Sequence, residues 1–239
     1  MRTPGFSFLL LTLCLVITTS HRSDASGQIP AKKQDHPIAI TNATIHPVTG
    51  PDIVNGTIVF EAGKITALGT NLPIPPGAET IDATGTHIYP GLISPDTYIG
   101  LTEIGAVRAS NDRNEAGRIN PNVRAEVAVN PESEIIPVTR ANGITLAVSS
   151  PAGGAISGTG AVLMLDGWTW EEMTLKAPCA LYVNWPSMTI TKSLSGKPTE
   201  EEQRKKRQEA LDEIANAFSD ARAYVQAKSA EEAKGIPYH

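Results

Sequence analysis

The residues most able to do chemistry in this chain lie in one short stretch, Tyr89 to Ala106, which reads YPGLISPDTYIGLTEIGA. Asp96 and Glu103 place two carboxylates behind an apolar run, and Tyr98 adds a phenol between them. A carboxylate can move a proton or bind a divalent metal, whereas a tyrosine with an ordinary pKa of ~10 is a poor metal ligand at neutral pH. We therefore interpret Asp96 as a candidate contact to a metal or a substrate, and Glu103 and Tyr98 as candidate substrate-binding residues. No catalytic residue is assigned.

Other reactive side chains give weaker signals. Cys179 lies in an apolar run with no histidine nearby in the sequence, which favours a buried and inert thiol. Three serines in apolar segments lack the nucleophile-elbow pattern: Ser149, Ser150 and Ser157. Beyond the first 25 residues, the histidines are scattered singly and form no pair with metal-ligand spacing: His36, His46, His87 and His239. Three indoles have the area to line a binding surface, although core packing explains them better: Trp168, Trp170 and Trp185.

The composition is that of a globular protein of 239 residues, with 41% hydrophobic and 19% charged residues and a formal net charge of −5. This charge gives no general attraction to nucleic acid or to an anionic membrane, because either would need a clustered basic surface. The one basic run, Arg204 to Arg207, directly follows three glutamates, as on a solvated helix face. We expect a small-molecule substrate or ligand as the partner and leave a homo-oligomer open.

The first residues predict export. Arg2 precedes an apolar run from Phe6 to Thr19, and a polar stretch ending at Ala25 offers a cleavage site. The run is shorter than the ~20 residues of a membrane span, so a signal peptide at residues 1–25 is favoured over a stable membrane anchor. The sequence thus predicts a secreted or periplasmic protein, with a polar linker at residues 26–37.

Short β-prone runs and turn residues alternate from Ile38 to Ile88 and predict a small sandwich of antiparallel strands. Within it, Asn55-Gly56 and Ala62-Gly63 are tight-turn signals. The polar region from Ser110 to Asn122 has no clean period and predicts a loop. Three later runs bounded by glycine or proline predict buried strands: Gly143 to Pro151, Gly160 to Gly167 and Cys179 to Pro186.

A long helix is predicted from Thr199 to Lys234, opening with the capping box Thr199-Glu200-Glu201-Glu202 and closing at Gly235. Five apolar residues recur at helical spacing and predict a face that packs on the core: Leu211, Ile214, Phe218, Ala221 and Val225. A partner-binding helix remains the alternative.

Several motifs together resemble the amidohydrolase superfamily, especially its imidazolonepropionase-like members. They are Gly63-Lys64-Ile65, Gly69, Ile81-Asp82-Ala83, Gly85 and Pro90-Gly91-Leu92-Ile93, and a later stretch from Val138 to Met173 continues the likeness. The resemblance implies an α/β fold, with a small β-sandwich at residues 38–89 followed by an incomplete (β/α) TIM-like barrel at residues 90–239. It also implies hydrolysis of carbon–nitrogen bonds other than peptide bonds. In the later stretch the glycine-rich segment Gly153 to Gly158 predicts unusual backbone angles rather than anion binding.

One motif of that family is replaced here. The family carries two histidines, separated by one residue, at the end of the first barrel strand, where they bind a divalent metal such as zinc that acidifies water. The matching positions hold Asp96 and Tyr98, with Ser94 in place of the family's usual aspartate. The resemblance therefore implies a metal site that is incomplete in this chain.

The length after Pro90 is also well short of the ~250 residues of a typical TIM barrel. Two interpretations follow. The chain is the front half of an exported amidohydrolase-type hydrolase, or it is a non-catalytic exported binding protein on a hydrolase scaffold.

Overall fold

A computed structural model describes residues 29–192 and 198–233. The predicted signal peptide and the predicted helix end at Gly235 lie outside these ranges. No helix within the described ranges is both long and apolar enough to cross a membrane. Residues 29–37 have no regular secondary structure, but Gln34 ties them to the first sheet. Its Nε2 donates to the Phe60 carbonyl at 2.9 Å, and its Oε1 accepts from the Gly63 N–H at 2.8 Å.

The first sheet contains five strands in the order β3-β2-β1-β4, with β5 also paired to β1. The strands are β1 (Ile38–Ile45), β2 (Ile53–Glu61), β3 (Lys64–Gly69), β4 (Glu79–Asp82) and β5 (His87–Ile88). β2 runs antiparallel to β1 and β3, while β4 and β5 run parallel to β1. Ala62 and Gly63 both have positive φ and form the predicted β2–β3 turn. A cluster of Ala43, Ile45 and Ile58 forms the core of this unit.

Two expectations for this region are corrected. The strands at residues 38–88 form one mixed sheet, whereas an antiparallel sandwich was predicted. Asn55-Gly56 does not form a turn, because both residues lie inside β2, where the register with β1 is irregular. Asn55 has φ 52°, and a Cβ on Gly56 would lie 2.8 Å from Ile45 Cδ1. The glycine therefore permits a bulge against the core.

The second sheet has the order β6-β7-β8-β9. Its strands are β6 (Leu92–Thr97), β7 (Ile144–Ser149), β8 (Ile156–Met164) and β9 (Thr174–Val183). β6 and β7 are parallel and joined by a long crossover that contains helix α1 (Ile135–Ala141), as parallel pairing requires. β7, β8 and β9 pair antiparallel, and the single-turn helix α2 (Trp170–Met173) connects the last two. The second sheet of the described chain is thus mixed, and its three predicted strands are confirmed.

The loop that was predicted from Ser110 to Asn122 is held by backbone hydrogen bonds against β8 and the residue before it. The Ala155 N–H donates to the Arg118 carbonyl at 2.6 Å, and the Thr159 N–H donates to the Val123 carbonyl at 2.7 Å. The close approach of the loop requires glycine at position 154, since a Cβ there would lie 2.6 Å from the Arg118 carbonyl oxygen. Gly154 also has φ 63°, so the prediction of unusual backbone angles in the glycine-rich segment is confirmed.

Helix α3 (Glu200–Ala233) begins with the predicted capping box. The Glu202 N–H donates to Thr199 Oγ1 at 3.2 Å, and the Thr199 N–H donates back to Glu202 Oε2 at 2.7 Å. Hydrogen bonds from Thr199 lower the pKa of Glu202. The predicted apolar face packs only in part: Ile214 is buried, whereas Phe218 and Val225 are exposed. The expectation of a continuous core-facing stripe is therefore wrong for the second half of the helix.

Candidate functional site

The parallel pairing of β6 and β7 brings the carboxyl ends of two strands to the same edge of the second sheet. Thr97 pairs with Ser149, and the Ser150 N–H donates to the Thr97 carbonyl at 2.8 Å. Asp96 from β6 and Ser150, the first residue after β7, therefore become neighbours. This edge is the one at which open α/β sheets and TIM-like barrels build their binding sites.

Asp96, Ser150 and Tyr182 form a polar group that we call the strand-end cluster. The Ser150 hydroxyl donates to Asp96 Oδ1 at 2.7 Å and also lies 2.9 Å from the Thr97 carbonyl oxygen. Asp96 is exposed, while Ser150 and Tyr182 are half-buried. Tyr182 lies close enough to Asp96 and Ser150 for both residues to influence the pKa of its phenol. The cluster thus presents an open carboxylate backed by two hydroxyl groups.

Tyr182 reaches the cluster from β9 because Gly160 on β8 leaves space for its ring. A Cβ on Gly160 would lie 2.6 Å from Tyr182 Cε2 and 3.0 Å from the Ser149 carbonyl oxygen. Burial raises the pKa of the Tyr182 phenol above its ordinary value, and the negative charges of Asp96 and Cys179 raise it further. The hydrogen bond with Ser150 opposes these effects. At neutral pH Tyr182 is therefore a neutral group that can donate a hydrogen bond.

Tyr98 lies beyond the tip of β6, where it is covered by a cation. The Arg113 guanidinium carbon sits 4.8 Å from the centroid of the Tyr98 ring, within cation–π range. Arg113 Nε is buried and has no hydrogen-bond partner. The same arginine lines a cleft of about 330 Å³ together with Arg124 and with Pro151, which directly follows Ser150 in the sequence.

Glu103 has a different environment from Asp96. Its Oε2 accepts from the Ser133 hydroxyl at 2.9 Å, and its Oε1 lies 3.5 Å from Asn130 Nδ2. Ser133 is 1% exposed and also accepts from the Ile135 N–H at the start of α1. These contacts fasten the crossover loop to α1. The structure thus places Glu103 in a loop contact and does not bring it into the strand-end cluster.

The sequence did not point to Tyr182 or Arg113, and it named Ser150 only as a serine that lacks the nucleophile-elbow pattern. The strand run that contains Tyr182 was visible, but its position opposite Gly158 depends on the β8–β9 register. Ser150 had a usable signal, because it lies at the end of the predicted strand run from Gly143 to Pro151, and the ends of neighbouring parallel strands meet at one edge of a sheet. Cys179 is only partly buried, which corrects the expectation of a buried thiol. Trp170 packs on the core, whereas Trp168 and Trp185 are both 64% exposed.

A search for a matching family model found none for this chain, whereas known proteins resemble parts of it. Over 80 residues the chain is 41% identical to a D-hydantoinase of Geobacillus stearothermophilus, a match that covers 34% of this chain and 16% of that protein. Over 69 residues it is 44% identical to a 5'-deoxyadenosine deaminase of Methanosarcina acetivorans, covering 27% and 15%. A solved amidohydrolase from Thermotoga maritima MSB8 shares the fold, with a TM-score of 0.72 at 24% identity over 84% of this chain. Together, the shared fold and the two sequence matches support a relation to the amidohydrolase superfamily.

The chain matches only part of each of these proteins. It spans about half the length of the Thermotoga maritima protein, with 52% covered, and about one sixth of the D-hydantoinase.

The tip of β6 does not by itself fit the divalent metal that the family resemblance implies. Within residues 29–192 and 198–233, no three His, Cys, Asp or Glu side chains are grouped to hold a metal ion. Asp96 already accepts a hydrogen bond from Ser150, and the guanidinium of Arg113 covers Tyr98. A metal ion bound at the position of Tyr98 would lie close to the guanidinium of Arg113. Because the two cations would repel each other, Arg113 disfavours a metal there.

Proposed function

We propose that this chain forms part of an exported amidohydrolase-type hydrolase that cleaves a carbon–nitrogen bond in a cyclic amide or a related small molecule. The observation that carries the proposal is the strand-end cluster. An open carboxylate, a serine hydroxyl and a neutral phenol meet at the edge where such folds bind substrates. The names of the two curated relatives, a hydantoinase and a deaminase, support chemistry at a carbon–nitrogen bond.

The residues of the cluster suit recognition of a cyclic amide. Asp96 can accept a hydrogen bond from an amide N–H and can hold a proton during the reaction, because one of its oxygens remains open to solvent. Tyr182 can donate to a carbonyl oxygen, since its pKa is raised and it stays neutral. Arg113 beside the cleft adds a positive charge and an unpartnered buried donor, which suit a polar or anionic substituent.

The test is a turnover assay on a panel of cyclic amides and ureides, such as hydantoin and dihydrouracil, with the whole exported polypeptide. Asp96→Asn keeps the shape of the side chain and removes its charge, so we expect turnover to fall by about 100-fold. Glu61→Gln, an exposed carboxylate at the end of β2, is the matched control and leaves turnover unchanged. Equal turnover in wild type and Asp96→Asn would overturn the role of this carboxylate.

A second candidate function is non-catalytic binding of a small molecule, and the position of Arg113 favours it. The arginine covers the residue that stands where the family places a metal-binding histidine. On this hypothesis the same panel raises the melting temperature without being consumed, and Arg113→Lys weakens the shift because lysine lacks the planar guanidinium. Any turnover that exceeds the background rate decides for the hydrolase.

Export is part of the proposal and rests on the apolar run from Phe6 to Thr19. Its test is the N-terminal sequence of protein recovered from the periplasm or the medium. A start at Ser26 agrees with cleavage after Ala25, whereas an intact Met1 on protein found only in the cytoplasm contradicts export.

A further inference from the structure

Three charged side chains of both signs line one cleft beside the second sheet without pairing with one another. Asp112, Arg113 and Glu115 all contribute to the cleft of about 330 Å³. Within the described ranges, neither carboxylate forms an ion pair or a side-chain hydrogen bond, and the guanidinium of Arg113 has only the Tyr98 ring as a partner. These charges are therefore available to a ligand.

The backbone of the crossover loop holds these side chains at the cleft. The Asp112 N–H donates to the Leu101 carbonyl at 2.7 Å, and the Ala152 N–H donates to the Arg113 carbonyl at 2.7 Å. The guanidinium of Arg113 also lies over the Tyr98 ring, so it is positioned before a ligand arrives. Because preorganised groups lose less conformational entropy on binding, these contacts favour recognition of a small ligand.

The rest of the cleft is mainly apolar. A short 3-10 helix (Ala125–Ala128) forms part of its wall, and Arg124 before this helix places Nη2 2.7 Å from Oε1 of buried Glu126. The charge of Arg124 is therefore already paired. Six apolar residues line the cleft: Leu101, Val123, Ala125, Val127, Ala128 and Pro151. The volume lies at the small end of the ~300–1,000 Å³ range of ligand sites, which suits a molecule of amino-acid size.

From this lining we infer that the cleft binds a free α-amino acid with an apolar side chain, such as leucine. The guanidinium of Arg113 pairs with the carboxylate of the ligand, and the carboxylates of Asp112 and Glu115 attract its ammonium group. The ligand side chain packs against the apolar wall. A simple anion is repelled by the two carboxylates, and a simple cation is repelled by Arg113. A zwitterion satisfies the charges of both signs at once.

The amino-acid site goes beyond the proposed function, because a free amino acid contains no amide bond for a hydrolase to cleave. It shares Arg113 with that proposal but needs neither turnover nor the carboxylate of Asp96. Asp96 does not line the cleft, so Asp96→Asn should leave leucine binding unchanged. Failure of the amino-acid site and failure of the hydrolase proposal are thus told apart by measuring binding and turnover in the same protein.

The test is isothermal titration calorimetry of the whole chain with L-leucine and three matched analogues. The carboxylate 4-methylpentanoate lacks the ammonium group, the amine 3-methylbutylamine lacks the carboxylate, and glycine lacks the apolar side chain. We expect saturable binding of leucine that is at least about tenfold tighter than that of each analogue, because each loses a charge-assisted contact or apolar burial. Absence of saturable leucine binding, or equal binding of either charged analogue, would overturn the site.

Variants at the cleft give a second reading. Arg113→Gln should weaken leucine binding at least about tenfold, because the ligand carboxylate loses its partner. The double variant Asp112→Asn/Glu115→Gln changes exposed side chains, so it should weaken leucine binding about tenfold and keep the melting temperature of the free protein. Arg108→Gln is the matched control, since Arg108 is an exposed arginine of the same crossover loop outside this cleft. Unchanged leucine affinity in Arg113→Gln or in the double variant would contradict the zwitterion site.

Discussion

Two serine–carboxylate pairs in this protein share the same hydrogen bond but lie in opposite surroundings. Ser133 donates to Glu103 at 2.9 Å in the crossover loop, and Ser150 donates to Asp96 at 2.7 Å at the strand ends. Ser133 is 1% exposed and fastens the start of α1, whereas Ser150 is half-buried beside an exposed aspartate. In the pair of Ser133 and Glu103, both side chains form hydrogen bonds with other residues of the crossover loop and α1. The second leaves carboxylate oxygen open to a ligand.

This difference shows that a carboxylate near a strand end is not sufficient to indicate a site. Asp96 and Glu103 stand seven positions apart and were both candidates from the sequence. Whether a ligand can reach them depends on the partners that the fold supplies and on the solvent exposure of those partners. The pairs can be separated experimentally, because changes to one should affect mainly stability and changes to the other mainly binding.

The largest expected effect is that of Gly160→Ala, which disturbs the strand-end cluster through packing. The new methyl group would lie 2.6 Å from the Tyr182 ring and 3.0 Å from the Ser149 carbonyl oxygen, inside a buried strand. Overpacking of this kind costs about 2 kcal/mol of unfolding free energy and should also displace Tyr182 from Ser150. Urea denaturation measures the first effect and ligand affinity the second. Gly105→Ala, with no atom within 4 Å, is the control and should be neutral.

Ser133→Ala should destabilise the chain by about 1 kcal/mol, because it leaves Glu103 without its buried hydroxyl partner. The matched change Ser150→Ala should leave the unfolding midpoint unchanged, since water can replace the hydroxyl beside exposed Asp96. Both variants are compared by urea denaturation. Equal losses of stability in the two variants would show that the two pairs do not differ in the way that the structure indicates.

The elements of this fold were largely readable from the sequence, and their pairing was not. An apolar run bounded by glycine and proline located β7, and a local motif located the capping box of α3, because each depends on residues close in the chain. The mixed pairing of β4 with β1 and the contact between His46 and His87 depend on segments about 40 residues apart. Asn55-Gly56 misled for the same reason: a local turn signal was overridden by packing against Ile45.

The candidate site follows this division. Asp96 was found because the family resemblance placed it at a strand end, and Ser150 lies at the end of a strand run that the sequence predicted. Tyr182 could not be assigned, because its approach to Ser150 requires the β8–β9 register and the small residue at Gly160. Arg113 comes from a loop whose path is set by carbonyl contacts to β8, and no periodic signal records that path.

A ligand-binding comparison of two isosteric variants has an intermediate effect. Asp96→Asn should abolish the response to a cyclic amide in a thermal-shift assay while leaving the melting temperature of the free protein unchanged, because the aspartate is exposed. Glu103→Gln should do the reverse, lowering the melting temperature of the free protein and preserving the ligand response. A loss of ligand response in both variants would place Glu103 in the site and weaken the distinction between the two regions.

The smallest expected effect is on the titration of Tyr182, which reports the charge of Asp96 directly. Burial is the largest cause of the raised pKa of Tyr182, and the carboxylate of Asp96 is the next. Asp96→Asn should therefore lower this pKa without returning it to its ordinary value. Ser150→Ala should raise it, because the hydrogen bond with Ser150 acts in the opposite direction. The absorbance of ionised tyrosine, taken as a difference against Tyr182→Phe, measures both shifts.

The sign of the stability effect follows from the same shift. A folded-state pKa above the unfolded value of ~10 means that the native chain holds the phenolic proton more tightly. The resulting stability is fully present below pH ~10 and is lost as the pH rises through the raised pKa. Tyr182→Phe removes this loss, so its unfolding free energy should fall less steeply in alkali than that of wild type. Parallel alkaline slopes, together with an unchanged titration in Asp96→Asn, would show that Tyr182 does not belong to the cluster.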